Sequence, residues 1–366
     1  MKSSQLFVEY NDINNSANNT ILEIVENFFL FNKWFRKECS GIYSALYLGN
    51  KIIKKISQYI EICLYKLNYQ QNNFSSLVHI KHFENRTDSH MFAIEKNSLL
   101  LSPTYEPQIF EEYKEAIKNS EYVRIFQISK KFRNDSCESL FRTKEFIMLD
   151  LYCLANKKNI LLERQKIEKF FSNFVNYFAI DVQSEIKHED FFNSFWSKEY
   201  NFCFISKKNL KLVKKEKKIF ELAHLFLFEL ENFFALSFGI GITRFISIMM
   251  LKYMYVSSVD NCVRFLIKHP MLKAFLLTIV PSNDKVNTMI TCEFLYSLLR
   301  KRCIDVLFDD RKVGFGRKMK DLERMGIDKC LIVNGKRIVL QVRNIENDIL
   351  VKKEKVLKFE DIEKIL

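Results

Sequence analysis

The chain has 366 residues and a formal net charge of +13; 48% of its residues are hydrophobic, while glycine (8) and proline (4) are scarce. That length exceeds one typical domain and predicts about two or three. The longest apolar run, 245–255, is too short for a bilayer and contains Lys252, and the start MKSSQLFVEYNDINN lacks the apolar centre of a signal peptide; both argue against membrane and secretory classes and for a soluble, cytoplasmic protein without a membrane partner.

In chain order, residues 19–36 read as a helix with an aromatic face, followed by a turn at Gly41. Ile52, Ile53, Ile56, Ile60 and Cys63 recur at helical spacing and predict a long amphipathic helix over 46–67. A short apolar strand over 98–102 ends at Pro103. Residues 122–131 and 144–154 are apolar runs around the polar stretch 134–139, the pattern of an antiparallel hairpin. A helix follows over 159–177. The lysine-rich stretch 181–219 has no periodicity that assigns it. Residues 220–238 are apolar and strand-rich, and a helix over 241–253 opens directly after a Gly-x-Gly. After about residue 270 strand and helix alternate: strand 274–281, helix 284–302, strand 305–310, helix 316–325, strands 330–334 and 337–342, helix 359–366. This predicts a small C-terminal α/β domain with its boundary near 265–272.

The nine cysteines form no CxxC pair, and no histidine stands at metal-ligand spacing beside them. Reduced, mostly buried thiols and no protein metal site are therefore expected. Lysine is abundant together with Asn, Ile and Phe, as a strongly AT-biased genome produces, so the positive charge alone is a modest pointer to nucleic acid.

Two segments carry chemistry. On adjoining antiparallel strands alternate side chains share a face, so Arg133 in KFRND could project beside Glu145 and Phe146 of FRTKEF into one cleft. An arginine grips phosphate, an aromatic stacks on a base and a carboxylate accepts an exocyclic amine. The second segment, SFGIGITR over 237–244, runs a strand into two glycines and then a helix with Arg244 in its first turn. It is neither a dinucleotide fingerprint nor a P-loop, because the third glycine and the GK[ST] ending are missing.

Together the two resemble motifs 2 and 3 of the class II aminoacyl-tRNA synthetases, in order and spacing. The similarity is closest to the prolyl enzymes and runs nearly end to end. GIYSALYLGNKII (41–53) is similar to GLYxWLPLGxRV, LLLSPTYEP (99–107) to LxPTxEE, and IFQISKKFRND with LFRTKEFIMLDLY to YQIxxKFRDE with LRxREFxMKDxY. FELAHLF (220–226) resembles the GHxF segment, FGIGITR resembles YGIGVxR, and FDDRKVGFGRKMKDLERMGI (308–327) resembles the anticodon-domain pattern DDRxxxxGxKFxDxDLIGI. The resemblance implies an α+β fold: a class II catalytic domain over 1–268, with a central antiparallel sheet flanked by helices, and an anticodon-binding α/β domain over 269–366. Motif 1 would lie in 41–80, motif 2 in 122–154 and motif 3 in 236–253. It also implies activation of proline by ATP with Mg²⁺, transfer to tRNA(Pro), and a homodimer.

Residue by residue, the resemblance gives Arg133 the α-phosphate and the charge that builds there. Phe146 would stack under adenine, and Arg244 would cover its other face and approach the γ-phosphate. Glu145 would meet the adenine amine, and Arg142 and Gly241 would complete the ATP site. Thr104 and Glu106 would receive the proline ammonium, with His224 and Gly239 lining that pocket. Asp309, Asp310, Arg311 and Lys318 would contact the anticodon. Plainer readings stand beside these: Phe146 as one core aromatic of 35, His224 as a satisfied buried histidine, and 309–311 as a strand-end charge cluster.

The chain departs from the family pattern in places. The loop between Arg133 and Arg142 is shorter and lacks the RPR arginine, TYEP replaces TxEE, and LVHI at 77–80 lacks the proline usual in motif 1. Between 154 and 236 there is no room for a large editing insertion, so no cis hydrolysis of mischarged tRNA is expected. A threonyl- or glycyl-type synthetase and a non-catalytic RNA-binding paralogue are the alternatives. The absence of threonyl-type zinc ligands speaks against the first, and the presence of both arginines against the second.

Overall fold

The computed structural model describes all residues except 3–19, 84–90, 95–97, 188–194, 206–216, 231–232, 257–262, 347–348 and 363–366. Helix α1 (Ile21–Phe31) opens with a capping box between Thr20 and Glu23. It ends before residue 36 because Asn32 caps it and Lys33 turns the chain at φ 55°. The aromatic residues Trp34 and Phe35, which extended the helical pattern, instead bury themselves where strand β1 (Phe35–Cys39) begins. Gly41, at φ 78°, turns β1 into β2 (Ile42–Ala45). Helix α2 (Tyr47–Tyr65) follows as expected and buries Ile52, Ile53, Ile56 and Ile60.

The core of the molecule is a seven-stranded sheet of β3 (Gln70–Gln71), β7 (Tyr122–Phe132), β8 (Glu145–Ala155), β12 (Phe233–Gly241), β11 (Lys217–Leu230), β10 (Phe195–Ile205) and β9 (Gln183–Lys187), in that order. All neighbours are antiparallel except β3 and β7. The expected hairpin is β7–β8, with Lys131 opposite Phe146. The unassigned stretch 181–219 supplies β9 and β10, the outer strands of this sheet.

The sheet separates two faces by the two-residue period of a strand. Phe126, Leu149, Leu151, Leu236 and Phe238 belong to the apolar core shared with α2, α4 (Lys157–Tyr177) and α5 (Ile242–Lys252). The intervening residues, among them Lys131, Met148, Asp150 and Gly239, point the other way. A small sheet, β4 (Leu77–His79), β6 (Leu99–Leu101) and β5 (Phe92–Ile94), leads into α3 (Glu106–Tyr113) at the end of that second face.

After β13 (Met254–Val256) and β14 (Val263–Phe265) a five-stranded sheet forms in the order β16 (Val306–Phe308), β15 (Leu277–Pro281), β17 (Lys329–Asn334), β18 (Arg337–Glu346), β19 (Ile349–Leu357). Strand β15 is parallel to both β16 and β17; the rest is antiparallel. Helices α6 (Val286–Lys301) and α7 (Phe315–Arg324) alternate with these strands, and α8 (Phe359–Ile362) follows them. The expected extension of α8 to 366 lies outside the described residues. Strand β19 was hidden from the sequence pattern by Lys352, Lys353 and Lys355, which suit its open edge and break apolar alternation. Asp305, before β16, takes ion pairs from Lys51 (2.5 Å) and Lys55 (2.9 Å) of α2, which join the two sheets' domains.

Among the described residues no helix is long and apolar enough to cross a membrane. The described cysteines are unpaired, but only Cys153, Cys292 and Cys330 are buried. The expectation of mostly buried thiols is corrected, since Cys39 and Cys303 sit in exposed turns and strand ends.

Candidate active site

A cleft of about 340 Å³ opens on the polar face of the central sheet. Motif-like residues from both halves of the sequence converge there: Arg133, Arg142 and Phe146 from the β7–β8 hairpin, His224 from β11, and Gly239, Gly241 and Arg244 from β12 and α5. The strand register does this. Gly239 pairs with Asp150 on one side and His224 on the other, and Gly241 pairs with Met148. A Cβ at Gly239 would meet Met148 Cε at 2.1 Å, so the bare backbone makes room for the Met148 methyl at the floor.

Arg133 follows the end of β7. Its guanidinium stands 5.5 Å from the Phe146 ring centroid, and its Nε and Nη2 both donate to Pro103 O at 3.3 Å. Arg142 is half-exposed at the rim and reaches Asp135 at 3.2 Å. Gly241 caps α5, which puts Arg244 in the first turn. Arg244 Nε donates to Phe141 O at 2.7 Å and Nη1 to Glu221 O at 3.2 Å. Burial draws the Arg244 guanidinium below its ordinary range, opposed by Glu221 and assisted by the nearby Arg142 and Arg133 charges. Burial alone would raise Glu221, but the hydrogen bond with His224 and the charges of Arg244 and Arg133 outweigh it and hold the carboxyl low. His224 stacks on Phe226 at 4.0 Å, and its Nδ1 lies 3.2 Å from Glu221. Its Nε2 is buried without a hydrogen-bond partner among the described residues.

Thr104 and Glu106 are buried in the turn that enters α3, beside the cleft rather than in its lining. The turn is gripped by the hairpin. Phe132 N donates to Ser102 O, Arg133 holds Pro103 O, and Tyr105 N donates to the Tyr152 hydroxyl at 3.3 Å.

Glu145 is a correction. It precedes Phe146 on β8, so it faces away, and its carboxylate pairs with Lys130 at 2.5 Å. Its place in the lining is taken by Glu221 and by Glu199 and Asn201 of β10. Sequence reading missed those because β10 had no assignable pattern. Glu221, three residues before His224, had no paired strand to give it a direction.

The C-terminal residues divide. Asp309 is fully buried and holds Arg311 bidentately, at 2.9 and 2.7 Å, while Arg311 Nη1 reaches Asp321 at 2.8 Å. Lys318 is also buried, 3.7 Å from Asp284. A nucleotide could not touch Asp309 or Lys318 without unfolding this network, so the expectation of direct contact is corrected for both. Asp310 and Arg311 keep some exposure.

The short segment after Arg133 is tied to the N-terminal part of the chain. Lys144 N donates to Gly41 O, and Ser139 Oγ donates to the buried carboxylate of Glu26, which also takes Lys37 and Tyr43. Burial pushes Glu26 up, but these three donors win and hold it below the ordinary carboxylate range. A depressed folded pKa means stability present above the unfolded value and lost as pH falls through the folded one. The melting temperature of Glu26→Gln should therefore lie below wild type at pH 7, and the gap should narrow as pH falls below the ordinary carboxylate range. A difference that does not diminish at all as pH is lowered in thermal melts would remove this role.

Comparison with known proteins gives matches over most of the chain. Residues 90–253 match the model of the tRNA synthetase class II core domain (G, H, P, S and T), and residues 277–365 match that of an anticodon binding domain. A proline--tRNA ligase of Sulfurimonas denitrificans is 23% identical over 382 aligned residues, covering 84% of this chain and 86% of that protein. That of Campylobacter hominis is 28% identical over 163 residues, 40% of this chain and 29% of that protein. The structure of prolyl-tRNA synthetase from Cryptosporidium parvum complexed with L-proline and AMP shares the fold, with a TM-score of 0.77 at 18% identity over 96% of this chain and 79% of that one.

Proposed function

We infer, from a chain that carries a class II tRNA synthetase core domain and an anticodon-binding domain, that it is a proline--tRNA ligase: it joins proline to ATP as prolyl-adenylate and passes the prolyl group to the 3′ end of tRNA(Pro). The observation that carries the reading is the meeting of Arg133, Phe146 and Arg244 in one cleft beside the Thr104–Glu106 turn. An aromatic face, two guanidiniums and a nearby carboxylate suit a nucleotide and an amino acid held side by side.

In the first step a carboxylate oxygen of proline attacks the α-phosphorus, and the bond to the β-phosphate oxygen breaks to release pyrophosphate. Arg133 would bind the α-phosphate oxygens where charge builds, which is catalysis by a preorganised charge. Phe146 and Arg244 would sandwich the adenine. Thr104 and Glu106 would receive the ammonium, with His224 and Gly239 beside the ring. In the second step a terminal ribose hydroxyl attacks the activated carbonyl and AMP leaves. No side chain need act as nucleophile, and positioning supplies much of the rate. Mg²⁺ would arrive with ATP. Such an ion is ligated largely by phosphate oxygens and water.

The same reading carries a cytoplasmic homodimer paired through 41–80, a division at 268/269, anticodon contact by Asp310 and Arg311, and no cis-editing. Pyrophosphate exchange into ATP, run with each amino acid, tests it. Proline-dependent exchange is expected. Exchange with threonine or glycine instead would mean a different amino-acid specificity, and tRNA binding without exchange would mean a non-catalytic paralogue.

A further inference from the structure

In the C-terminal sheet, β15 and β16 lie side by side and run parallel. The helices that follow them leave toward opposite faces. Leu295 and Leu299 of α6 share one core with Ile279 and Phe308, while Leu322 of α7 belongs with Val280 and Leu307, the neighbours that point the other way. Adjacent parallel strands whose connections part in this manner leave a crevice at their carboxyl ends. The loops 282–285 and 309–314 enter it, and they meet where Lys318 stands 3.7 Å from Asp284. Residues 312–317 beside it are all exposed. Phe315, at the start of α7, is 37% exposed and makes no ring contact among the described residues; Val313 is 38% exposed. Gly314 and Gly316 bracket the ring. Neither has a positive φ, and a Cβ on either would meet nothing within 4 Å. Neither backbone conformation nor local packing therefore requires glycine here, in a chain that uses only eight. What the two glycines secure is open space beside an aromatic ring.

We propose that Phe315 is a stacking platform for an unpaired nucleobase, so that the stretch 312–317 grips the loop of an RNA and not its duplex stem. The ring takes the face of one base, and Lys312 and Arg317 take the flanking phosphates. A base inside a helix has both faces covered, so only a loop base can lie on a protein ring. The charge of the stretch selects a phosphate chain as the occupant: Lys312, Arg317 and Lys320 are all exposed, although Arg317 also reaches Asp321 at 3.2 Å. The family pattern over 308–327 leaves position 315 open, so the ring is a feature of this chain. Asp309 and Lys318 turn inward from the same segment, and Phe315 turns outward. The inference rests on the anticodon-binding reading of residues 277–365 and adds the residue and the manner of contact.

The full-length protein is titrated with the anticodon stem-loop of a proline tRNA, carrying a fluorescent purine analogue at one unpaired position at a time, and with a blunt RNA duplex of equal phosphate count. Wild type should bind the stem-loop and quench at least one loop label. Phe315→Ala should abolish that quenching and weaken stem-loop binding by about 5–150-fold, with duplex binding within about twofold of wild type. Phe315→Trp should keep stem-loop affinity within about threefold, because it offers another ring. Lys312→Ala should weaken stem-loop and duplex alike. Pyrophosphate exchange without RNA should stay within about twofold in every variant, since neither ATP nor the amino acid meets this domain in the mechanism above. Exchange with no amino acid would overturn the proposed enzymatic function and leave the RNA titration to decide the platform. No stem-loop binding by wild type, unchanged stem-loop affinity in Phe315→Ala, or equal loss of stem-loop and duplex binding in that variant overturns the proposal. If Phe315→Ala does not fold, Gly316→Val decides: it keeps the ring and fills the space beside it, and wild-type quenching in that variant overturns the platform.

Discussion

Replacing Arg133 with alanine should lower proline-dependent exchange of pyrophosphate into ATP by about 10²–10³-fold, the scale of about 2.7–4 kcal/mol on which loss of one preorganised charge stabiliser registers. Its guanidinium is anchored by Pro103 O and flanked by the Phe146 ring, so it is aimed before any ligand arrives. Lysine should not rescue it, because a single ammonium cannot span the carbonyl and a phosphate with a planar fork. The melting temperature should hardly move, since what is lost is two bonds of 3.3 Å to one carbonyl. Near-normal exchange by Arg133→Ala would overturn the role proposed for it.

The second large effect is on stability and lies on the opposite face of the sheet. Glu163 of α4 is fully buried and accepts from Arg124 of β7 at 3.0 and 2.8 Å and from the Tyr69 hydroxyl at 2.9 Å. It ties a helix, a central strand and the chain after α2 at one point. Glu163→Ala leaves the partly buried Arg124 guanidinium without its counter-charge, a loss of at most about 3–5 kcal/mol, against a total of about 5–15 kcal/mol for a typical domain. Thermal denaturation should show a fall on the order of 10 °C. Exchange activity at low temperature should survive, because the cleft is on the other side of β7. A melting temperature within a degree of wild type would rule the arrangement out as a support.

Much of this architecture was legible in the sequence. The apolar spacing of α2 and the paired runs of β7 and β8 declared themselves because each buries one continuous face. The two glycines before Arg244 marked the strand-to-helix junction that sets Arg244 in the first turn of α5. What stayed hidden had physical reasons. Glu145 and Phe146 are neighbours in sequence and therefore opposites on a strand, so a motif that contains both cannot put both in one cleft. Lys131 and Asp150 are charged residues in the most buried register positions, visible only when β7 is laid beside β8. The anticodon-like residues were legible as a cluster, yet Asp309 turned inward to hold Arg311 and Lys318 of α7 turned inward beside Asp284, which composition could not reveal. Strand β10 lies at the edge of a lysine-rich stretch without alternation, so Glu199 and Asn201 had no face until the sheet assembled.

Strand β19 has a consequence of a different kind. Among the described residues it is the last strand of the C-terminal sheet and leaves one row of backbone donors and acceptors unpaired. Such an edge is a template for another strand. Lys353 and Lys355 place like charge on one of its faces, while Glu354 offsets Lys352 on the other, so two of these edges that meet with the lysine faces together approach against mutual repulsion. Self-association is thus resisted by charge and not by shape. The protection should weaken with added salt, and at 1 M, where the screening length is about 3 Å, the edge becomes open to pairing.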